Sequence, residues 1–290
     1  MDVDTYLDVR NRIHAATPMP REAVLDQRRQ PGNLDLIAEL DEVPVGVATV
    51  SKYGGSPDGD LAFVSIRVLR EERRKGIGTA LQRRASGHAR KLGKARFYTV
   101  ARADDVDSLG YYALRGFQEI GRMQDVRLDL ASAVPGADVP AGIELVSLTT
   151  PELRRGAYRV ALEALADVPT GAPLERGTFE QWSERTFGAL VLPELSFVAV
   201  DGGEVVGYAV LGRHGDDTAQ HWMTGVARSA RGRGIATALK QAQIARAKAA
   251  GWRYLITQND LANDPMRRVN EKLGYERRFE WVHLTGPLLA

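Results

Sequence analysis

The sequence predicts a tandem of two mixed α/β domains, each a mainly antiparallel sheet flanked by helices, and three observations carry that expectation. The chain has 290 residues, long for one domain and comfortable for two. It repeats itself: RRKGIGTAL at Arg73–Leu81 returns as RGRGIATAL at Arg231–Leu239, an offset of 158 residues. Around each copy, strand-like and helix-like patterns alternate in the same order.

The same offset carries Gly93 onto Gly251, Thr99 onto Thr257 and Gly116 onto Gly274, with Phe117 falling on Tyr275. Spacing held over about 45 residues, through a turn, a helix and a strand, marks a duplicated domain. Upstream, LDLIAELDEVPVGVATV from Leu34 matches LSFVAVDGGEVVGYAVL from Leu195, and each reads as a hairpin because β-branched residues flank an Asp/Gly/Glu turn. One more strand follows, Ala62–Val68 or Trp222–Val226, and then the repeated string.

A helix comes next, over Gly78–Leu92 and Ala236–Ala250, with Leu81, Ala85, Ala89 and Leu92 on one stripe and Gly93 or Gly251 as its C-terminal cap. Strands over Arg96–Val100 and Tyr254–Gln258, helices ending at Gly116 and Gly274, and a final strand complete each half. Between the halves, VPGADVPAG at Val134–Gly142 suits a linker. The domains are therefore expected at residues 1–133 and 143–290, joined by 134–142. The second opens with a strand, Ile143–Leu148, and a helix initiated at Pro151; the first lacks that opening strand.

Composition narrows the function. The chain is 44% apolar and 26% charged, ordinary for a soluble globular protein. Lys and Arg number 39 against 37 Asp and Glu, too balanced for nucleic acid or an anionic membrane as the main partner. Cysteine is absent, which excludes disulfides, thiolate metal sites and a cysteine acyl-enzyme. No apolar run approaches the roughly 20 residues of a membrane span, and the start, MDVDTYLDVRNRIH, is acidic rather than signal-like. A cytoplasmic location is expected, and nothing sets an oligomeric state.

At Val226–Leu239 a strand ends, Arg231-Gly-Arg-Gly-Ile-Ala follows, and a helix starts at once. Such a turn suits a pyrophosphate. Gly232 and Gly234 let the backbone approach an anion, the amides at the helix N-terminus point at it, and Arg231 and Arg233 add charge. A Rossmann site would need a third glycine where Leu81 and Leu239 stand, and a Walker A loop would need Gly-Lys before Ser or Thr. Neither is present.

These residues resemble the signature of the GNAT superfamily of N-acyltransferases: Arg or Gln, two residues, Gly, one residue, Gly or Ala. Arg73, Gly76 and Gly78 match it, as do Arg231, Gly234 and Ala236. The resemblance runs from hairpin to final strand, twice over. It implies that Arg73, Arg74, Lys75, Gly76, Ile77, Gly78 and Thr79 hold the pyrophosphate of acetyl-CoA in the first half. It implies the same of Arg231, Gly232, Arg233, Gly234, Ile235, Ala236 and Thr237 in the second. Ile66, Arg67 and Val68, with Thr224, Gly225 and Val226, would lie against the pantetheine arm. The second turn is expected to bind at least as well as the first, through flexible glycines where the first has Arg74 and Lys75.

Direct acyl transfer needs an uncharged amine, stabilisation of the oxyanion, and an acid for the departing thiolate. The resemblance assigns the acid to a tyrosine four residues before a Gly-Phe pair, the place of Tyr112; the alternative is a packing tyrosine beside Tyr111. Asn270 stands at the equivalent place of the second half, where it and Asn263 could hold or polarise the acyl donor. His221 is the best-placed base candidate, with an ordinary strand histidine as the alternative. No group of side chains has metal-ligand spacing. The acceptor would meet loops at His14–Pro20 and Asp167–Pro173. The expected activity is acetyl transfer from acetyl-CoA to a primary amine of a small molecule. A protein or peptide N-acetyltransferase, or a non-catalytic acyl-CoA-binding sensor or scaffold, remains open beside it.

Overall fold

A computed structural model describes residues 2–15, 18–56, 58–134, 136, 138–168, 172, 174 and 177–290. The chain forms two compact units, Met1–Arg122 with Gly171–Glu175 and Glu280–Ala290, and Met123–Thr170 with Arg176–Phe279.

The first unit opens on two helices, α1 (Val3–Ile13) and α2 (Arg21–Arg29), with no strand before them among the described residues. The hairpin β1 (Leu34–Leu40) and β2 (Val43–Lys52) follows, then β3 (Leu61–Val68), α3 (Ile77–Lys91), β4 (Arg96–Arg102) and α4 (Val106–Ala113). The hairpin turns on Asp41 and Glu42, both at positive φ, because only a turn of that hand matches the strands' twist. Leu81, Ala85 and Ala89 put the stripe of α3 against the sheet, and Gly93 at φ 73° ends the helix.

In the second unit β6 (Ile143–Ser147) leads through a turn begun by Pro151 into α5 (Arg154–Ala166), followed by α6 (Phe179–Thr186). Then come β7 (Phe197–Asp201), β8 (Glu204–Arg213), β9 (Thr218–Val226), α7 (Ile235–Ala249), β10 (Tyr254–Asp260) and α8 (Asp264–Lys272). Here Gly202 and Gly203 make the hairpin turn.

Two long strands close the halves in chain order, β5 (Gln118–Asp129) and β11 (Glu276–Pro287). Their ladders do not follow that order. Residues Trp281–Pro287 of β11 pair with β4, so the first sheet runs β1-β2-β3-β4-β11. Residues Met123–Asp129 of β5 pair with β10, and the second sheet runs β6-β7-β8-β9-β10-β5. Every pairing is antiparallel except β3 with β4 and β9 with β10.

Besides the opening strand β6, the halves differ in the register of one strand. β2 and β3 pair without a slip, whereas the register of β8 on β9 jumps between Val210↔Met223 and Leu211↔His221, leaving Trp222 as a bulge. The ring of Trp222 lies over Gly212, where a Cβ would come within 2.2 Å of it. Among the described residues no helix is long and apolar enough to cross a membrane.

Candidate functional site

Each unit contains a cleft made by its one parallel pair. β3 and β4 are joined only at Leu61↔Arg96, Ala62↔Phe97 and Phe63↔Tyr98; β9 and β10 only at Thr218↔Tyr254, Ala219↔Leu255 and Gln220↔Ile256. Beyond those pairs each strand keeps its outer partner and loses its inner one. The inner backbone edges of Ile66, Arg67 and Val68, and of Thr224, Gly225 and Val226, therefore have no strand beside them. Apart from the Ile66 amide at the Tyr112 hydroxyl and the carbonyls of Val68 and Val226 held by Arg73 and Arg231, they can pair with something extended that carries amides.

Each cleft runs into the glycine turn. Arg73 Nε donates to the carbonyl of Val68 at 3.3 Å, and Arg231 Nε to that of Val226 at 3.2 Å, so the first arginine of each motif ties turn to strand. Gly76 and Gly234 cap α3 and α7 at φ 83° and 84°, with no side chain on the first amides of either helix. A left-handed cap of this kind favours glycine. A Cβ at Gly76 or Gly232 would meet nothing within 4 Å, so the approach to both turns is open. Exposed helix amides at an open, cationic turn fit a pyrophosphate. Ile77 and Ile235 turn into the apolar cores, leaving only their backbone to a ligand.

The expected advantage of the second turn comes down to one residue. At the constant offset Gly234 has a counterpart in Gly76, so only Gly232, in place of Arg74, is a gain. Arg74 reaches the same conformation, φ 67° against 78°. Nor are the motif's charges free. Lys75 pairs with Glu72 at 2.7 Å, Arg233 with Asp201 at 2.6 Å, and Arg231 with Asp167 at 2.6 Å. Asp167 also takes Arg228, and these hydrogen bonds, Arg228's before Arg231's, hold its carboxyl well below the usual range. Asp167 thus sits on the second glycine turn. Of the two acceptor loops, residues 16–17, 169–171 and 173 lie outside the described residues. Thr79 accepts from Arg115 Nη2 at 2.7 Å, and Arg115 stacks on Tyr111, whose ring would be 3.1 Å from a Cβ at Gly78.

Tyr112 is buried among Tyr111, Phe117 and the α3 stripe, but its hydroxyl is placed by polar groups. Thr99 Oγ1 donates to it at 3.4 Å from the first β4 residue past the paired stretch. Burial raises its pKa, while Thr99 and the guanidinium of Arg67 act to lower it. The phenol keeps its proton at neutral pH and holds it at the head of the cleft. Asn270 occupies the matching place in the second unit, donating to Asn259 Oδ1 while its own Oδ1 is buried without a partner. Asn263 caps α8, accepting from Met266 N at 3.3 Å.

His221 does not face a substrate. Its ring is 4% exposed, Nε2 lies 2.5 Å from the Tyr275 hydroxyl and Nδ1 3.0 Å from Gln243 Oε1. Burial, then Lys240, pushes its pKa well below the ordinary value. Both nitrogens are committed inside the core. Lys240 of α7 is itself 1% exposed, and its Nζ has no hydrogen-bond partner. Two further residues were missed: Tyr98 of β4, buried, with its hydroxyl 2.5 Å from His283 Nδ1 of β11.

Comparison with known proteins agrees with this geometry. The family model described as Acetyltransferase (GNAT) family matches residues 5–117 and 159–275. A mycothiol acetyltransferase of Actinosynnema mirum is 29% identical over 251 residues, 85% of this chain and 81% of that protein. A solved tandem GNAT protein from the clavulanic acid biosynthesis pathway matches with TM-score 0.80 at 25% identity, covering 99% of this chain and 95% of that one. A GCN5-related N-acetyltransferase from Sphaerobacter thermophilus shares the fold, with TM-score 0.79 and 20% identity over 100% of this chain and 93% of that one.

Proposed function

The chain belongs to the GNAT acetyltransferase family, and from that premise we propose that it transfers the acetyl group of acetyl-CoA directly to a primary amine of a small molecule. The observation that carries the reading is the pair of parted parallel strands, each leading into a left-handed glycine turn at the same 158-residue offset. In this reading the turn amides take the pyrophosphate, and the free edges of Ile66–Val68 and Thr224–Val226 take the amide-bearing arm. The mycothiol acetyltransferase relative supports a small-molecule acceptor. The repeat units along the chain, 1–133 and 143–290, each contribute one such site, although their last strands pair across that order.

Transfer is assigned to the first unit, where Tyr112 supplies the proton that the leaving thiolate takes up. The second unit is read as a holding site: Asn270 offers only a hydrogen bond, and His221 is sealed in the core. The deciding assay follows free thiol release from acetyl-CoA with glucosamine, kanamycin, spermidine, S-methylcysteine and a peptide N-terminus. Turnover with a small amine is the expected result. Turnover with the peptide alone would move the assignment to a protein acetyltransferase, and binding without turnover to a sensor.

Gly234→Asp tests the second turn. A residue with a side chain at φ 84° costs about 1–2 kcal/mol, and its carboxylate faces the pyrophosphate, so acetyl-CoA should bind there about tenfold more weakly or worse. Calorimetry that returns wild-type stoichiometry and affinity would remove this turn from the binding site.

A further inference from the structure

Resting on the proposed acetyl transfer, we infer that Tyr98 and His283 form the proton relay that deprotonates the acceptor amine in the first unit. Tyr98 is the last β4 residue paired to β3, and Thr99 is the first beyond it. Successive strand residues point to opposite faces. Thr99 faces the Tyr112 hydroxyl, so Tyr98 projects from the other face of the same cleft head. There it packs on Tyr53 at 4.5 Å between ring centroids and on Phe63 at 6.4 Å. Its Oη lies 2.5 Å from Nδ1 of His283, which β11 sets beside Val100.

The head of the cleft thus carries a phenol on each face, and the reaction needs a proton donor at sulfur and a proton acceptor at nitrogen. Burial raises the Tyr98 pKa, so the phenol is protonated, and with His283 as the Nε2–H tautomer it donates to Nδ1. As the amine nitrogen bonds to the acetyl carbon, its proton passes to Tyr98 Oη and the Tyr98 proton passes to His283, leaving an imidazolium. The carbon–sulfur bond breaks and the thiolate takes the proton of Tyr112. Charge and protons balance: Tyr98 ends protonated, and proton exchange with solvent returns the Tyr112 phenolate and the His283 imidazolium to their starting forms.

The second unit has no such pair. At the 158-residue offset Tyr98 becomes Ile256 and His283 corresponds to Asp125, which is buried and committed to Arg278 at 2.7 Å and Gln258 at 3.3 Å. Tyr98, His283 and Tyr112 therefore occur together, in the one unit where all three can act on a single acetyl group.

The test uses the full chain, acetyl-CoA and whichever of glucosamine, kanamycin, spermidine or S-methylcysteine the wild type turns over. Tyr98→Phe and His283→Gln should each lower kcat about 100-fold, as loss of general base catalysis does, with acetyl-CoA affinity by calorimetry unchanged. The double variant should be no slower than the slower single one, because two members of one relay are lost only once. Multiplying defects would show independent structural roles and overturn the relay, as would a Tyr98→Phe enzyme within twofold of wild type. In those cases wild-type turnover leaves the transfer reading standing; absence of wild-type turnover ends both.

Discussion

Tyr112→Phe is expected to lower kcat about 100-fold while leaving acetyl-CoA affinity nearly intact, the usual loss when one general acid is removed. The substitution deletes only the hydroxyl; the ring remains against Phe117 at 4.9 Å and Tyr111 at 5.3 Å, so packing and the cleft wall persist. What disappears is a protonated phenol fixed by Thr99 at the head of the cleft. A free thiol has a pKa of about 8.5. Burial makes Tyr112 less acidic, while the hydrogen bond from Thr99 and the guanidinium of Arg67 act in the opposite direction and favour the phenolate. The defect should therefore appear in kcat and not in acetyl-CoA binding, a split that initial-rate kinetics and calorimetry separate. A silent Tyr112→Phe together with an inactive Asn270→Ala would place transfer in the second unit and leave the first as its structural partner.

Much of this was legible in the sequence because the signals are local. The type of each hairpin, the left-handed Gly76 and Gly234, and the caps at Gly93 and Gly251 follow from short-range backbone chemistry. Strand partners do not. Nothing around Glu276–Pro287 says that its far end pairs with β4, so His283 could not be connected with Tyr98, which lies 185 residues earlier in the chain. The repeat also invites an assumption of equivalence that the core does not honour. Allowing for the one-residue bulge at Trp222, the positions of His221, Lys240, Gln243 and Tyr275 carry Val64, Gln82, Ala85 and Phe117 in the first half. A histidine seen on a strand suggested a base; only the Tyr275 and Gln243 contacts show it is enclosed.

That enclosed cluster has a second measurable consequence. Lys240→Met should stabilise the second unit at neutral pH by up to about 5 kcal/mol and flatten its stability between pH 7 and 10. Burial brings the Lys240 amine from 10.5 to about 7, which at about 1.4 kcal/mol per pH unit penalises its charged form by that amount. No carboxylate compensates: Nζ has no hydrogen-bond partner and lies 5.2 Å from the centre of the Tyr275 ring. Below pH 7 folded and unfolded chains both hold the proton, and the penalty is fully present. Between pH 7 and 10 the unfolded chain keeps a proton that the folded one has lost, so stability rises with pH. Towards pH 10 the buried tyrosines, Tyr275 among them, begin to oppose this, because their raised pKa values favour the unfolded, ionised form. Urea unfolding followed by tryptophan fluorescence in a Trp281→Phe background reads the second unit, since Trp182, Trp222 and Trp252 belong to it and Trp281 to the first. A wild-type curve flat from pH 7 to 10, or a Lys240→Met protein less stable than wild type at pH 7, would mean that the amine is charged and compensated in the folded chain.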